Sequence, residues 1–266
     1  MKILLISDTH GKLDVINELA AATGADCCLH MGDLCLYTAE SVRRFSADML
    51  YKQLRHNPQL PLEQLAALDR NDAEAMRQLA LEYRTYGTFE DYLSGKKRFD
   101  IPVYAVPGNN DDAEIIVWLE KHPISNLRFL DEAKQLEWEG FLICGIGGDI
   151  AEHAPDFGFG CVSTEAQVAK LEARLTGPGS AEQAEFKNLK KILLTHVPPY
   201  ENERLMRALE RIKPVLCLCG HTHHWDDRTV GVCRIITLPR PGRGYAVLEL
   251  NNGQWNCQLY KNEVIT

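Results

Sequence analysis

The sequence predicts an α/β fold with parallel strands. Three observations carry that expectation. Short continuous apolar runs alternate with residues at helical spacing. The chain opens on a strand–helix–strand pattern. Five of the apolar runs end on Asp, Asn or His, the side chains that bring chemistry to strand ends.

The elements follow in chain order. "KILLIS" (2–7) reads as a fully buried strand. Val15, Ile16, Leu19 and Ala20 then lie on one helical face, and Gly24 stops the helix. "DCCLHMGD" (26–33) reads as the next strand, so the first two strands should pair in parallel. Residues 36–98 break this rhythm. Val42, Phe45, Met49 and Leu54 share a helical face, Asn71 with Glu74 reads as a capping box, and Met76, Leu79, Ala80 and Tyr83 continue to a stop at Gly87. About sixty residues of helix thus stand between two core strands, either as an inserted cap or as a longer core crossover. The strand pattern resumes at "IPVYAV" (101–106). Residues 127–148 read as short strands meeting at Glu139-Gly140, and Thr164 with Gln167 opens a helix carrying Val168, Leu171 and Leu175. "GPGS" (177–180) reads as a mobile loop. Strand "ILLT" (192–195), a helix through Leu205, Leu209 and Ile212, and strand "VLCLCG" (215–220) follow. The tail is strand-rich, with a hairpin turn at Asn252-Gly253. The expected organisation is one domain over 1–266 with a helical cap insert at about 36–98.

Bulk properties narrow the function classes. The composition is globular, with 45% hydrophobic and 25% charged residues. A net charge of -8 argues against binding to nucleic acid or an anionic membrane surface. No apolar run approaches the ~18 residues of a membrane helix. The apolar start is too short for a signal peptide. Nine cysteines without a pair of CxxC motifs read as free, buried thiols in a reducing cytoplasm.

The donors at the strand ends form a set. Asp8 and His10 follow the first strand, Asp33 the second, Asn109 the run 101–106, His196 the run 192–195, and His221 and His223 the run 215–219. Each motif alone has a plain reading as a helix cap or a turn. Together they supply four imidazoles, two carboxylates and one amide oxygen. That is more than one cation takes, and it suits two cations sharing one carboxylate. Carboxylate and imidazole without thiolate favour Mn²⁺, Fe²⁺ or Zn²⁺.

The stretches "SDTHG" (7–11), "MGDL" (31–34), "PGNND" (107–111), "LLTHVPP" (193–199) and "CGHTHH" (219–224) resemble, in type and order, the motifs of the calcineurin-like metallophosphoesterase superfamily. The resemblance runs along the chain apart from the 36–98 insert and roughly 150–190. It implies a two-sheet α-β-β-α sandwich with the site at the strand ends. It also implies that Asp8, His10 and His223 hold one divalent ion and that Asn109, His196 and His221 hold the other, with Asp33 bridging them. Hydrolysis of a small phosphoester by a metal-bridging hydroxide would follow, with no covalent enzyme intermediate. Asn110 departs from the pattern, since many family phosphatases have a proton-donating His there. Asn cannot supply a proton near neutral pH. The departure favours phosphodiesters, whose leaving groups can be weak bases. Phosphomonoesters and a non-catalytic scaffold are the alternatives. Asp111 is expected to orient its neighbours. His30 reads as a packed or locally hydrogen-bonded residue. His224 reads as an exposed neighbour or a substitute acid, and His153 as a loop residue within reach of substrate. Arg240 and Arg243 read as phosphate contacts or ordinary surface.

Overall fold

A computed structural model describes residues 1–55, 57, 60–131, 133–152, 160–176 and 189–261. The 177–180 loop and His153 lie outside the described residues. Two six-stranded sheets form the centre. The first contains β1 (Lys2–Ile6), β2 (Cys27–His30), β3 (Val103–Ala105), β4 (Leu127–Phe129), β13 (Gly244–Asn251) and β14 (Gln254–Lys261), in the order β14-β13-β1-β2-β3-β4. The run β1 to β4 is parallel, and β13 closes it antiparallel against β1. The second sheet contains β5 (Gln135–Trp138), β6 (Phe141–Ile146), β9 (Lys190–Thr195), β10 (Leu216–Cys219), β11 (Asp226–Val230) and β12 (Cys233–Thr237), in the order β11-β12-β10-β9-β6-β5. Its four inner strands are parallel and its two edges antiparallel. A small parallel pair, β7 (Asp149–Ala151) and β8 (Val162–Thr164), stands apart.

Strand periodicity explains the layers. Ile3 and Leu5 of β1 meet Ile143, Ile192, Leu194 and Leu218 between the sheets. Leu4 and Ile6 face outward onto Ile16 and Ala20 of α1 (Asp14–Thr23) and Leu119 of α7 (Ala113–Lys121). On the far side, Cys144, Leu193 and Cys217 meet Val168 and Leu171 of α8 (Glu165–Thr176) and Leu205, Leu209 and Ile212 of α9 (Glu203–Ile212). Strands apolar on both faces need cover on both faces, and a helix–sheet–sheet–helix sandwich supplies it. Burying each such side chain contributes roughly 1.5–3 kcal/mol. No helix is long and apolar enough to cross a membrane, among the described residues.

Residues between β2 and β3 form α2 (Ala39–Arg44), α3 (Ala47–Arg55), α4 (Leu62–Ala67), α5 (Ala73–Glu82) and α6 (Phe89–Leu93). Val42, Phe45, Leu50, Leu54, Met76 and Ala80 make a cluster of their own. Phe89, Tyr92 and Phe99, at the end of the segment, pack instead with the helical cover of the first sheet. Two details correct the sequence reading. The cap of α5 is Asp72, whose carboxylate accepts from Ala75 N–H at 2.9 Å, rather than Asn71. The face from Val42 to Leu54 is split between α2 and α3, because Phe45 is extended, with ψ 138°. The Thr164–Gln167 box is present in both directions.

The loops beyond the parallel strands cross at contact distance. A Cβ on Gly108 would run into the main-chain nitrogen and the carboxylate of Asp33. A Cβ on Gly220 would strike the Ser7 hydroxyl and the Asp8 carboxylate. Gly242, by contrast, has open space around the same position. Urea denaturation should therefore show Gly108→Ala destabilised by about 1–3 kcal/mol. Gly242→Ala should stay within about 0.5 kcal/mol of the parent. Equal stability of the two variants would mean that the loops do not meet at Gly108.

Candidate metal centre

Each donor sits on a loop leaving a parallel strand, and main-chain hydrogen bonds lock these loops together. Asp8 N–H donates to Gly32 O, His10 N–H to Asp33 O, and Gly220 N–H to His196 O, each at 3.0 Å. Asp8, His10, Asp33, His221 and His223 all have positive φ, between 46° and 70°. Side-chain-bearing residues reach this region at a cost, and such residues concentrate at functional sites.

Two groups of donors result. In the first, one ligand atom each from Asp8, His10, Asp33 and His223 lie within 4.8 Å of one another. His10 Nε2 is 3.2 Å from His223 Nε2, and the two rings meet edge-on at 82°. Asp8 Oδ1 is buried without a hydrogen-bond partner, although His223 Nε2 stands 3.1 Å away. An unpartnered buried carboxylate oxygen is costly unless a cation meets it. Burial pushes the Asp8 carboxyl upward, but His223, the His196 charge and Ser7 outweigh it and hold it at about 2. Burial pushes His10 down to about 4, against the opposing pull of Asp33. At neutral pH the pair is a carboxylate and a neutral imidazole, the forms that bind metal.

In the second group, His196 Nε2 is 2.8 Å from Asn109 Oδ1, and His221 Nδ1 is 3.2 Å from that oxygen and 3.3 Å from His196 Nε2. His196 Nδ1 donates to Met31 O at 2.8 Å, which turns Nε2 toward the other two donors. The His196 and His221 rings also meet edge-on, at 81°. Asp33 stands between the groups. Its Oδ1 is 3.5 Å from His196 Nε2, and its Oδ2 is 3.8 Å from His10 Nε2. The donor types, the unpartnered Asp8 oxygen and this spacing fit divalent cations.

The structure brings all seven sequence-predicted donors together. It gives Asn110 and Asp111 defined contacts. Asn110 donates its N–H to Asp33 Oδ1 at 2.8 Å and its Nδ2 to Asp33 Oδ2 at 2.7 Å. Asp111 accepts from Cys35 N–H at 2.6 Å and Gly108 N–H at 2.7 Å, which ties the loop after β3 to the loop after β2. Burial, then the Asp33 charge, push its carboxyl up to about 7. His30 is fully buried with Nε2 3.1 Å from the Thr9 hydroxyl. His224 is exposed and its Nδ1 donates to Thr222 O. Arg243 is exposed and Arg240 half-buried.

Sequence reasoning missed the supports. The Tyr37 hydroxyl donates to Asn110 O. Ser41 Oγ and Arg44 Nη2 both donate to Asp112 Oδ2, at 2.7 and 2.5 Å. Asp112 caps α7 by accepting from Glu114 N–H. Cys35 Sγ lies 3.4 Å from His10 Nδ1. The only sequence signal among these was Asp112, a good N-cap residue before an apolar stretch.

Comparison with known proteins agrees with the geometry. A curated relative, the probable glycerophosphodiester phosphodiesterase GpdQ of Arcobacter nitrofigilis, is 27% identical over 181 residues. The match takes in 60% of this chain and spans 61% of the length of that relative. The crystal structure of TT1561 of Thermus thermophilus is similar over 97% of this chain and 98% of that one, with a TM-score of 0.57 at 19% identity. GAP50, the anchor in the inner membrane complex of Plasmodium, is similar over 100% of this chain and 87% of its own, with a TM-score of 0.53 at 10% identity. These two share the fold. The family model for calcineurin-like phosphoesterases matches residues 1–225, and the chain belongs to that family.

Proposed function

We propose that the protein is a metal-dependent phosphoester hydrolase that prefers phosphodiesters. In this reading Asp8, His10 and His223 hold one divalent ion, Asn109, His196 and His221 hold a second, and Asp33 serves both. The observation that carries it is the Asp33 carboxylate, with one oxygen toward each donor group. Divalent ions held there would polarise a phosphoryl oxygen and lower the pKa of a coordinated water. The donor set favours Mn²⁺, with Fe²⁺ or Zn²⁺ as substitutes.

The remaining roles follow from contacts. Asn110 orients Asp33 through two hydrogen bonds, so its amide is engaged and is no proton source. That supports substrates whose leaving group is a weak base, and the name of the curated relative points the same way. Asp111 holds the Asn109–Asn110 loop in place through the Gly108 and Cys35 amides. Unpaired thiols, seven of them buried and two half-buried, support a reducing cytoplasmic setting.

Metal-replete protein should contain about two divalent ions per chain. It should cleave bis(p-nitrophenyl) phosphate with a higher kcat/KM than p-nitrophenyl phosphate, and chelation should abolish both activities. Asp33→Asn should lose more activity than His223→Gln, because it serves both donor groups. A fully loaded protein that cleaves neither ester refutes the reading. A faster monoester reaction moves the preference to phosphomonoesters.

The insert at about 36–98 is read as a cap over the site. It touches two site loops: Tyr37 donates to Asn110 O, and Gly87 packs against Gly11. Replacing residues 46–83 by a Gly/Ser linker leaves Phe89, Tyr92 and Phe99 in the core. The expected outcome is a folded, metal-binding protein that accepts bulkier diesters than the parent. Failure of the shortened chain to fold would make α3 to α5 part of the core instead.

A further inference from the structure

Arg240 is a cation without a counter-ion among the described residues. Other half-buried arginines hold carboxylates: Arg77 holds Glu74, Arg204 holds Glu172, and Arg234 holds Asp227. Arg240 has no such carboxylate there, and its Nε is buried with no hydrogen-bond partner. A half-buried guanidinium in this state is costly. Something anionic that binds beside it would remove the cost.

Its position is set by strand pairing. β12 runs parallel to β10 with Thr237 opposite Cys219, and Leu238 N–H donates to Cys219 O at 2.8 Å. The chain after β12 therefore lies beside the loop that carries Gly220, His221 and His223. Arg240 then opens a tight turn, Pro241–Arg243, in which Arg243 N–H donates back to Arg240 O at 2.8 Å. This turn holds the Arg240 backbone, while its Nε has no hydrogen-bond partner among the described residues.

We infer that Arg240 binds a non-bridging phosphoryl oxygen of the substrate, beside the loop that carries His221 and His223. The inference rests on the phosphoester reading above and adds the anion-binding side chain to it. A planar guanidinium can present two N–H donors to a phosphoryl group, which an ammonium cannot match in geometry. The charge also acts on specificity. A dianionic monoester or inorganic phosphate gains more from it than a monoanionic diester, so Arg240 narrows the preference for diesters without creating it.

The test is calorimetric binding of inorganic phosphate to the metal-loaded protein, with metal content and thermal midpoint measured in parallel. R240Q should bind phosphate on the order of ten- to hundred-fold more weakly. R240K should recover part of that loss, and R243Q should match the parent. In turnover, R240Q should lose more on p-nitrophenyl phosphate than on bis(p-nitrophenyl) phosphate. A merely structural arginine would lower the thermal midpoint and leave phosphate affinity and the ester ratio unchanged. Parent-like phosphate affinity in metal-loaded R240Q overturns the assignment. Should R240Q lose metal, R240K decides: several-fold weaker binding supports the contact, and parent-like binding overturns it. A parent that binds phosphate through Arg240 yet cleaves no ester refutes the proposed activity and leaves the contact standing. A metal-loaded parent that binds no phosphate overturns the contact.

Discussion

Asp33 is the constraint on which the rest of the site depends. Its main-chain carbonyl receives His10 N–H, and its carboxylate receives both hydrogen-bond donors of Asn110. Gly108, on the loop after β3, lies so close that a Cβ there would strike the Asp33 nitrogen. These contacts exist because β1, β2 and β3 are parallel neighbours in one register, with Ile6 opposite His30 and His30 opposite Ala105. A slip of one residue would turn each inward side chain outward and separate the three loops. The buried apolar faces on both sides of the sheet prevent that slip. Hydrophobic patterning, which knows nothing of metal, thereby places a carboxylate between two groups of imidazoles.

The parts that were legible from sequence are those whose signals are local. The Glu139-Gly140 and Asn252-Gly253 turns each have two consecutive positive φ values, which a Gly-containing pair adopts readily. The donors were legible because they follow apolar runs directly. α7 was not, although Asp112 caps it, because Val117 and Trp118 are 55% and 42% exposed and blur its apolar face. β11 was not, because "DDRTV" has no apolar alternation. It is an edge strand held by β12, with Arg234 paired to Asp227. The supports of the site are long-range. Arg44 and Asp112 are 68 positions apart, and no spacing rule connects them.

The helical segment between β2 and β3 is attached to the loop after β3 near its start and closes back on itself near its end. Near its start, Ser41 and Arg44 converge on Asp112, the capping residue of α7. Near its end, Glu90 accepts from Ala39 N–H at 2.8 Å, which joins α6 back to α2. The cluster built on Leu50, Leu54 and Met76 lies between these attachments. A movement of this cluster would therefore be felt first at Asp112 and Asn110. Through Asn110 it would be felt at the carboxylate of Asp33.

The donors are divided between the two sheets. Asp8, His10, Asp33 and Asn109 leave the first sheet, and His196, His221 and His223 leave the second. Even the protein's own bonds cross that boundary here: His221 N–H reaches Asp8 Oδ2 at 3.1 Å, and His196 Nδ1 reaches Met31 O. Neither half of the chain can assemble such a centre until the sandwich has closed. A cation bound there would work as a late cross-link, joining segments as far apart as residues 8 and 223. Closing so long a loop is entropically expensive, and the ion would act after that cost has been met by the apolar core. It would contribute little to the rate of folding and would mainly slow the opening of the two layers.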